Sequence, residues 1–404
     1  MFFRLILSVI VTLCTVTLVR AQDESLADAG TTIREKVEAF LVARQKKHGF
    51  PGVCVAWVRD GKNSAVAIGV SDVEKKTKMT TKDRMLSGSI GKTYVATLAL
   101  QLVMEKKLSL DAKVSKYIGD ETWFSRLPNA ADLTVRSLMN HTSGIRRYVF
   151  NRKFLAVVAE KPDHVWKPAE LLSHVFDTEA EFPVGKGWSY ADTNYIVLGV
   201  VLEKITGTTY YKAMQRRVLD KFGLADTVPS DSRRIPKLIP GYTRMGRMFG
   251  IKDKTTKDGV FVINPQFEWC GGGLACTTAD LAKWAGIYGS AKLWPTALLK
   301  QVRDGVPAPQ LGRGKAYGLG MILGGTKDAP WVGHSGFMPG YVSEMRFYAK
   351  TGLAIAIQFN SDRRAELGMS TSGYLHAILG LMPSPEASGP AKGKPGSAIR
   401  KQGL

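Results

Sequence analysis

Cysteine and histidine are scarce in this chain, with four cysteines and six histidines among 404 residues. Past Cys14, only Cys54, Cys270 and Cys276 remain. That odd number argues against a disulfide framework. Cys54, inside Val53-Cys54-Val55-Ala56-Trp57-Val58, reads as a small core residue. Cys270 and Cys276 could bridge, but the glycines between them suit a tight backbone turn equally well, and both readings stay open. There is no second cysteine pair, no histidine pair at ligand spacing and no HExxH, so neither a metal nor another cofactor is expected. Acidic residues are also in short supply, 35 against 56 Lys and Arg, which leaves a formal charge of +21. Such an excess suits anionic surroundings such as envelope polymers, acidic membrane surfaces, nucleic acid or acidic substrates, and says nothing about fold. With 45% hydrophobic and 23% charged residues, a chain this long can bury a large core. Wholesale disorder, a collagen-like rod and a disulfide-stapled mini-protein are excluded.

A long apolar run occurs once. Arg4 is followed by Leu5 to Val19 without a charge, and Val19-Arg20-Ala21 fits a small-residue cleavage site. Residues 1–21 therefore read as a signal peptide; the alternative, an uncleaved anchor, suffers from a run that is short for a bilayer span. No later stretch is long and apolar enough to cross a membrane. The expected location is periplasmic or extracellular, with no stable membrane span in the mature chain and nucleic acid a poor partner. At the other end, 383–404 is rich in Pro, Gly, Ser and Lys and reads as a disordered basic tail.

Between these ends, 51–71 reads as a β-hairpin turning at Asp60-Gly61, and a second hairpin runs from Tyr341 to Phe359. Thr93 to Met104 is apolar almost all round, the mark of a buried helix. Asn194 to Thr206 has a helical pattern and stops at Gly207. The expected fold is α/β in the α+β sense: one antiparallel sheet built from both ends of the chain, flanked by helices, with a mostly helical domain inserted. The α/β part is placed at about 33–90 and 270–382 and the helical part at about 91–269, all within one domain over 22–382.

Three short segments could do chemistry. In Ser89-Ile90-Gly91-Lys92, residues three apart share a helix face, which sets the lysine amine beside the serine hydroxyl. A serine hydroxyl needs such a neighbouring base, and a helix start directs free N–H groups at an oxyanion. The bland alternative is a solvated lysine. Gly91-Lys92-Thr93 looks like the end of a P-loop, but Leu86 occupies the position that motif gives to glycine. Tyr190-Ala191-Asp192 follows a loop signal and opens a helix; alone, it would read as a tyrosine packed on the core. His334-Ser335-Gly336 ends an apolar stretch, where a strand edge can offer the Phe337 N–H to an oxyanion and the glycine admits a ligand. A lone histidine there is more often structural. Lys257-Asp258-Gly259 fits the same Lys-x-Gly form but reads as a plain turn.

Taken in order, the three segments resemble the serine β-lactamases and DD-peptidases, most of all class C β-lactamases and the D-alanyl-D-alanine carboxypeptidases and esterases related to them. Leu108-Ser109-Leu110-Asp111, His141-Thr142-Ser143-Gly144 and Gly271-Gly272-Gly273-Leu274 match further landmarks, and the resemblance spans roughly residues 33 to 380. It implies that Ser89 forms an acyl-enzyme, that Lys92 and Tyr190 shuttle the proton, and that the N–H groups of Ser89 and Phe337 hold the oxyanion. Asp192, Ser335 and Gly336 then line the substrate site with His334.

Two positions depart from the family pattern. Asp192 stands where Asn is usual. A carboxylate near Lys92 holds the lysine protonated, and such a cation is expected to lower the Tyr190 pKa and make Tyr190 the base. It offers a carboxylate to a free substrate amine, and unlike an Asn amide it cannot donate to a substrate carbonyl. His334 stands where most β-lactamases have Lys and is mostly neutral at pH 7. No class A-like deacylation glutamate is recognisable. An exported hydrolase of esters or D-amino-acid peptides therefore ranks above a true β-lactamase, with a small-molecule or peptide substrate. A non-catalytic binder of anionic envelope polymer is the other class, on the strength of the cations and aromatics interleaved from Arg146 to Phe154.

Overall fold

Two hairpins from opposite ends of the chain meet at the centre of one antiparallel sheet. The structure is a computed structural model that describes residues 33–382; the expected signal peptide and basic tail lie outside them. The sheet strands are β1 (Gly52–Arg59), β2 (Lys62–Asp72), β3 (Thr77–Lys78), β4 (Val306–Pro307), β5 (Ala316–Tyr317), β6 (Ile322–Gly325), β7 (Pro330–Met338), β8 (Tyr341–Tyr348) and β9 (Leu353–Phe359). Their order is β3-β2-β1-β9-β8-β7-β6-β5-β4. The expected antiparallel sheet is therefore observed, and β1 pairs with β9 through Val55↔Ile357 and Ala56↔Ala356. The first hairpin turns at Asp60 and Gly61, both at positive φ, the conformation that suits a tight two-residue hairpin.

The central strands read as continuous apolar runs because both of their faces are covered. Val53, Val55, Ile355 and Ile357 join one core cluster with Val37, Leu41, Tyr374 and Ile378, from helix α1 (33–48) and a C-terminal helix, Thr371–Leu379. Cys54, Ala56, Ala354 and Ala356 join the other. Large side chains thus fill one layer, and small ones let the helix Thr278–Gly289 lie close on the opposite face. A Cβ on its Gly289 would stand 2.3 Å from the Phe347 Cβ, so that glycine is needed for the close approach. Truncating a buried residue such as Ile357 to Ala would cost about 2–5 kcal/mol.

The buried helix is α2 (Gly91–Met104), with Lys92 to Gln101 wholly inside. Tyr94 stacks on Trp284 at 4.3 Å between ring centroids, which fixes α2 against the sheet-covering helix. Helix α3 (Asp192–Thr206) begins two residues before the apolar pattern suggests and ends at Gly207 in the left-handed conformation. The inserted region also holds short strands at Thr227–Pro229, Thr256–Lys257 and Val260–Phe261. Cys54, Cys270 and Cys276 are buried free thiols, so the glycine-rich turn, not a bridge, describes the 270–276 segment. Among the described residues no helix is long and apolar enough to cross a membrane, and no group of His, Cys, Asp or Glu could hold a metal ion.

Candidate active site

Ser89 lies on a single 3-10 turn, Gly88–Ile90, that leads into α2. Backbone crowds this turn from two sides. A Cβ on Gly91 would stand 1.7 Å from the Gly272 oxygen, and one on Gly336 would stand 1.9 Å from the Ser87 oxygen. Only glycine allows these contacts, so the Gly271-Gly272-Gly273 turn and the end of β7 press directly on the serine turn. The Phe337 amide nitrogen would lie 2.6 Å from a Cβ on Gly88, which sets the strand edge beside Ser89 as an oxyanion donor requires.

Lys92 is wholly buried and donates to three oxygens: Ser89 Oγ at 3.1 Å, Asp192 Oδ1 at 2.6 Å and the Gly271 carbonyl at 2.5 Å. An ammonium has three donors and no acceptor, and here all three are taken. Burial works against the lysine charge, but the Asp192 carboxylate overrides it and raises the pKa. Asp192 is also engaged at its other oxygen. Arg147 Nη2 and Nε donate to Oδ2 at 2.7 and 3.0 Å. Burial would raise the Asp192 pKa, but Arg147 and Lys92 hold it well below the usual carboxylate range. With each oxygen already held by a cation, Asp192 is a poor partner for a substrate amine. That expectation is corrected by Arg147, which lies inside the Arg146–Phe154 segment. The segment packs its aromatics inward at Tyr148 and Phe154 and leaves Phe150 exposed.

Tyr190 faces Lys92 and Ser89, and its hydroxyl is shielded from solvent with no hydrogen-bond partner. The Lys92 Nζ stands 4.9 Å from the ring centroid. The lysine pulls the phenol pKa down as the sequence implies, yet burial outweighs it and the pKa is raised. The landmark at 141 holds this segment in place. The His141 ring lies 4.3 Å from that of Tyr190, and its Nδ1 accepts from the Ala191 N–H at 3.3 Å.

His334 is buried and uncharged, its pKa pushed down to about 3 by burial and by Lys92. Its Nδ1 lies 2.6 Å from the Ser335 carbonyl, which can only accept, so Nδ1 carries the proton. Nε2 then accepts from the Tyr317 hydroxyl at 2.9 Å. Both ring nitrogens are committed. Ser335 and Phe337 are exposed at the cleft, and Gly336 lies between them.

Nothing in the sequence assigns three further residues to the cleft, although Arg147 belongs to the cation-and-aromatic segment Arg146–Phe154. Arg147, Lys315 and Glu268 all line it with Ser89 or beside it. Glu268 Oε2 is sealed from solvent without a hydrogen-bond partner, and burial, eased by Lys92, raises the carboxyl pKa to about 8. A sealed oxygen without a donor costs about 1–3 kcal/mol, more if charged, which favours the protonated acid. The one hint was an acid inside the apolar segment Phe267-Glu268-Trp269-Cys270 just before the glycines.

A family model described as Beta-lactamase matches residues 35–378. Penicillin-binding protein 4 of Amycolatopsis lactamdurans is 25% identical over 352 residues, covering 84% of this chain and 87% of its own. A D-aminopeptidase of Brucella anthropi is 25% identical over 81% of this chain, which spans only 59% of that relative's length. Among solved structures, a D-stereospecific amidohydrolase from Streptomyces superposes with a TM-score of 0.70 at 25% identity, covering 85% of this chain and 98% of that one. With the match extending over most of the sequence, the chain belongs to the beta-lactamase family and is a serine-type hydrolase.

Proposed function

We propose that the protein is an exported, class C-like hydrolase that cleaves amides, peptides or esters of D-amino acids through an acyl-enzyme on Ser89. The observation that carries this reading is the saturated Lys92 ammonium 3.1 Å from Ser89 Oγ. Its three protons go to Ser89, Asp192 and Gly271, so the serine proton is free to point elsewhere. Tyr190, which faces both Lys92 and Ser89, is the acid–base group that receives it. Because burial keeps the phenol neutral, Tyr190 acts as a relay. The Ser89 proton passes to its oxygen as Oγ attacks the carbonyl, and the original phenol proton passes to the leaving nitrogen or oxygen. The Lys92 charge steadies the partial phenolate in between. The backbone N–H groups of Ser89 and Phe337 receive the oxyanion. Water repeats the sequence in reverse roles and frees Ser89.

Uncharged, fully bonded His334 offers no cation at its own position to a β-lactam carboxylate, which supports ranking D-amino-acid substrates above β-lactams. The names of the D-aminopeptidase and the D-stereospecific amidohydrolase support the same choice. The test is mass spectrometry after exposure to a fluorophosphonate and to a fluorescent penicillin. A single adduct on the peptide carrying Ser89 is expected. Ser89→Ala should form none and lose turnover by about 10³-fold or more. Turnover retained by the Ser89→Ala protein would end this reading.

A further inference from the structure

One side of the cleft is lined mainly by apolar side chains, with carboxyls and two cations, Arg147 and Arg364, among them. Phe150, Met245, Met248, Phe249, Phe267 and Met338 line a cavity of about 300 Å³ that opens at Ser89. Phe150, Met245 and Met248 belong to the small set of exposed large apolar side chains, and together they form its lip. Three carboxyls reach this cavity, at Asp192, Glu268 and Asp362. Asp192 is bound by Lys92 and Arg147. Asp362 accepts from the Thr243 hydroxyl and from the N–H groups of Arg244 and Gly340. Glu268 alone holds an oxygen with no partner. The cation that bears on it, Lys92, has all three protons placed elsewhere.

We propose that Glu268 is the receptor for a free α-amino group on the acyl part of the substrate. The site then prefers unblocked aminoacyl amides, esters and peptides with a large apolar side chain over their N-acylated or des-amino counterparts. This inference rests on the acyl-enzyme reading and adds the substrate class to it.

The proton chemistry is balanced. The α-amino group of an amino-acid derivative titrates at about 7.7–8, close to the raised value of Glu268. A neutral amine entering the cavity takes the carboxyl proton: the O–H bond breaks, an N–H bond forms, and an ammonium–carboxylate pair results. No proton is exchanged with solvent, and the total charge of the Lys92, Arg147, Asp192 and Glu268 cluster plus ligand is the same before and after. The Glu268 carboxyl, which lines the cavity, gains an ammonium partner, while the apolar lip covers the side chain. An N-acylated substrate has neither the basic nitrogen nor the small size to do this.

The test uses binding and turnover separately. In the Ser89→Ala protein, D-phenylalanine amide should bind about 10- to 100-fold more tightly than 3-phenylpropanamide by calorimetry, as a charge-assisted contact predicts. Adding Glu268→Gln should shrink that ratio to below about threefold. In the protein with Ser89 intact, Glu268→Gln should cut kcat/KM for D-phenylalanine p-nitroanilide by about tenfold more than for 3-phenylpropanoyl p-nitroanilide. A measurement that needs no change at 268 backs this up: N-acetyl-D-phenylalanine amide should bind at least about tenfold more weakly than the free amine. Equal binding of the amine and des-amino ligands, or a preference that Glu268→Gln leaves intact, would overturn the inference. A retained amine preference with no covalent adduct at Ser89 would overturn the hydrolase reading alone.

Discussion

The two sides of Ser89 differ in size and in how many polar side chains line them. On one, aromatic and methionine side chains close around about 300 Å³. On the other, a cavity of about 930 Å³ sets Gln310, Lys315, Ser370, Thr371 and Ser372 among apolar residues such as Leu311, Ile322 and Met369. The apolar side comes from loops of the inserted region together with Met338 at the end of β7, and Asp362 ties the loop bearing Met245 and Met248 to the end of the sheet through Thr243 and Arg244. The polar side comes from the sheet and the last helix. Its floor is a buried Glu344–Arg346 pair, to which Thr371 and Ser372 are bonded. The contrast divides selectivity by physical cause. The apolar side rewards area removed from water, worth about 1.5–3 kcal/mol for one large side chain. The polar side rewards a leaving group that carries charge or hydrogen bonds.

Between the two sides stands the proton relay, and changing it should produce the largest effect on both. Tyr190→Phe should lower turnover by about 10²–10⁴-fold. Amides should suffer more than aryl esters, because an amine leaves only with a proton. Melting temperature should scarcely move, since the hydroxyl makes no hydrogen bond. Equal losses for amide and ester would place proton delivery elsewhere. For a des-amino ester, kcat/KM of the unaltered protein should stay flat from pH 5.5 to 7, below the value of about 8 to which Glu268 is raised. His334 is neutral with a pKa near 3, His141 is likewise pushed well below the ordinary value, and Tyr190 is raised. A limb near 6.5 would show a titrating histidine and refute the relay.

Asp192→Asn comes next. It removes the counter-charge of Lys92 and Arg147 at once. Breaking a buried pair costs about 3–5 kcal/mol, and the partial exposure of Arg147 puts this case toward the lower end, about 3 kcal/mol by denaturant unfolding. The stability sign follows from the carboxylate. Its pKa is depressed on folding, so the contribution is present above the unfolded value of about 3.9 and is lost as pH falls below it. Adding Arg147→Met should recover part of the loss, since one stranded cation then disappears. No recovery would mean that Arg147 does not feel Asp192.

Local geometry explains which parts of this cleft were legible in the sequence. Ser89 and Lys92 are one helical turn apart, and their meeting follows from the periodicity of α2 alone. The β1–β2 hairpin was legible for the same reason, because its turn residues sit at the two positive-φ positions. Strands β4 to β6, two to four residues long, are too short to show an alternating pattern. Arg147 lies 45 residues from Asp192, and a cation in a loop looks the same whether it is solvated or turned inward. Glu268 and Lys315 share that ambiguity. The direction of the Lys92 effect on Tyr190 followed from charge; the net upward shift did not, because burial depends on how the whole chain packs.

The smallest expected effect tests the polar side. A cation at the edge of this cleft is Lys315, on the loop just before β5, two residues from the Tyr317 that bonds His334. Lys315 is half-buried, and burial lowers its pKa, with Glu344 opposing that shift and Arg346 adding to it. No ion pair holds it among the described residues, while its ammonium stands 5.7 Å from the Trp331 ring centroid. An uncommitted cation at the edge of a wet cleft should attract a carboxylate on the leaving group with about 1 kcal/mol or less. For an aminoacyl dipeptide with a free C-terminal carboxylate, Lys315→Ala should therefore raise KM about three- to fivefold relative to the same dipeptide amide, with little change in kcat. The effect should fade as salt rises from about 0.05 to 0.5 M, since part of the contact faces solvent. If both dipeptides respond alike at every salt concentration, the polar side binds by shape and hydrogen bonds alone, and the contrast with the apolar side is one of wetting without charge.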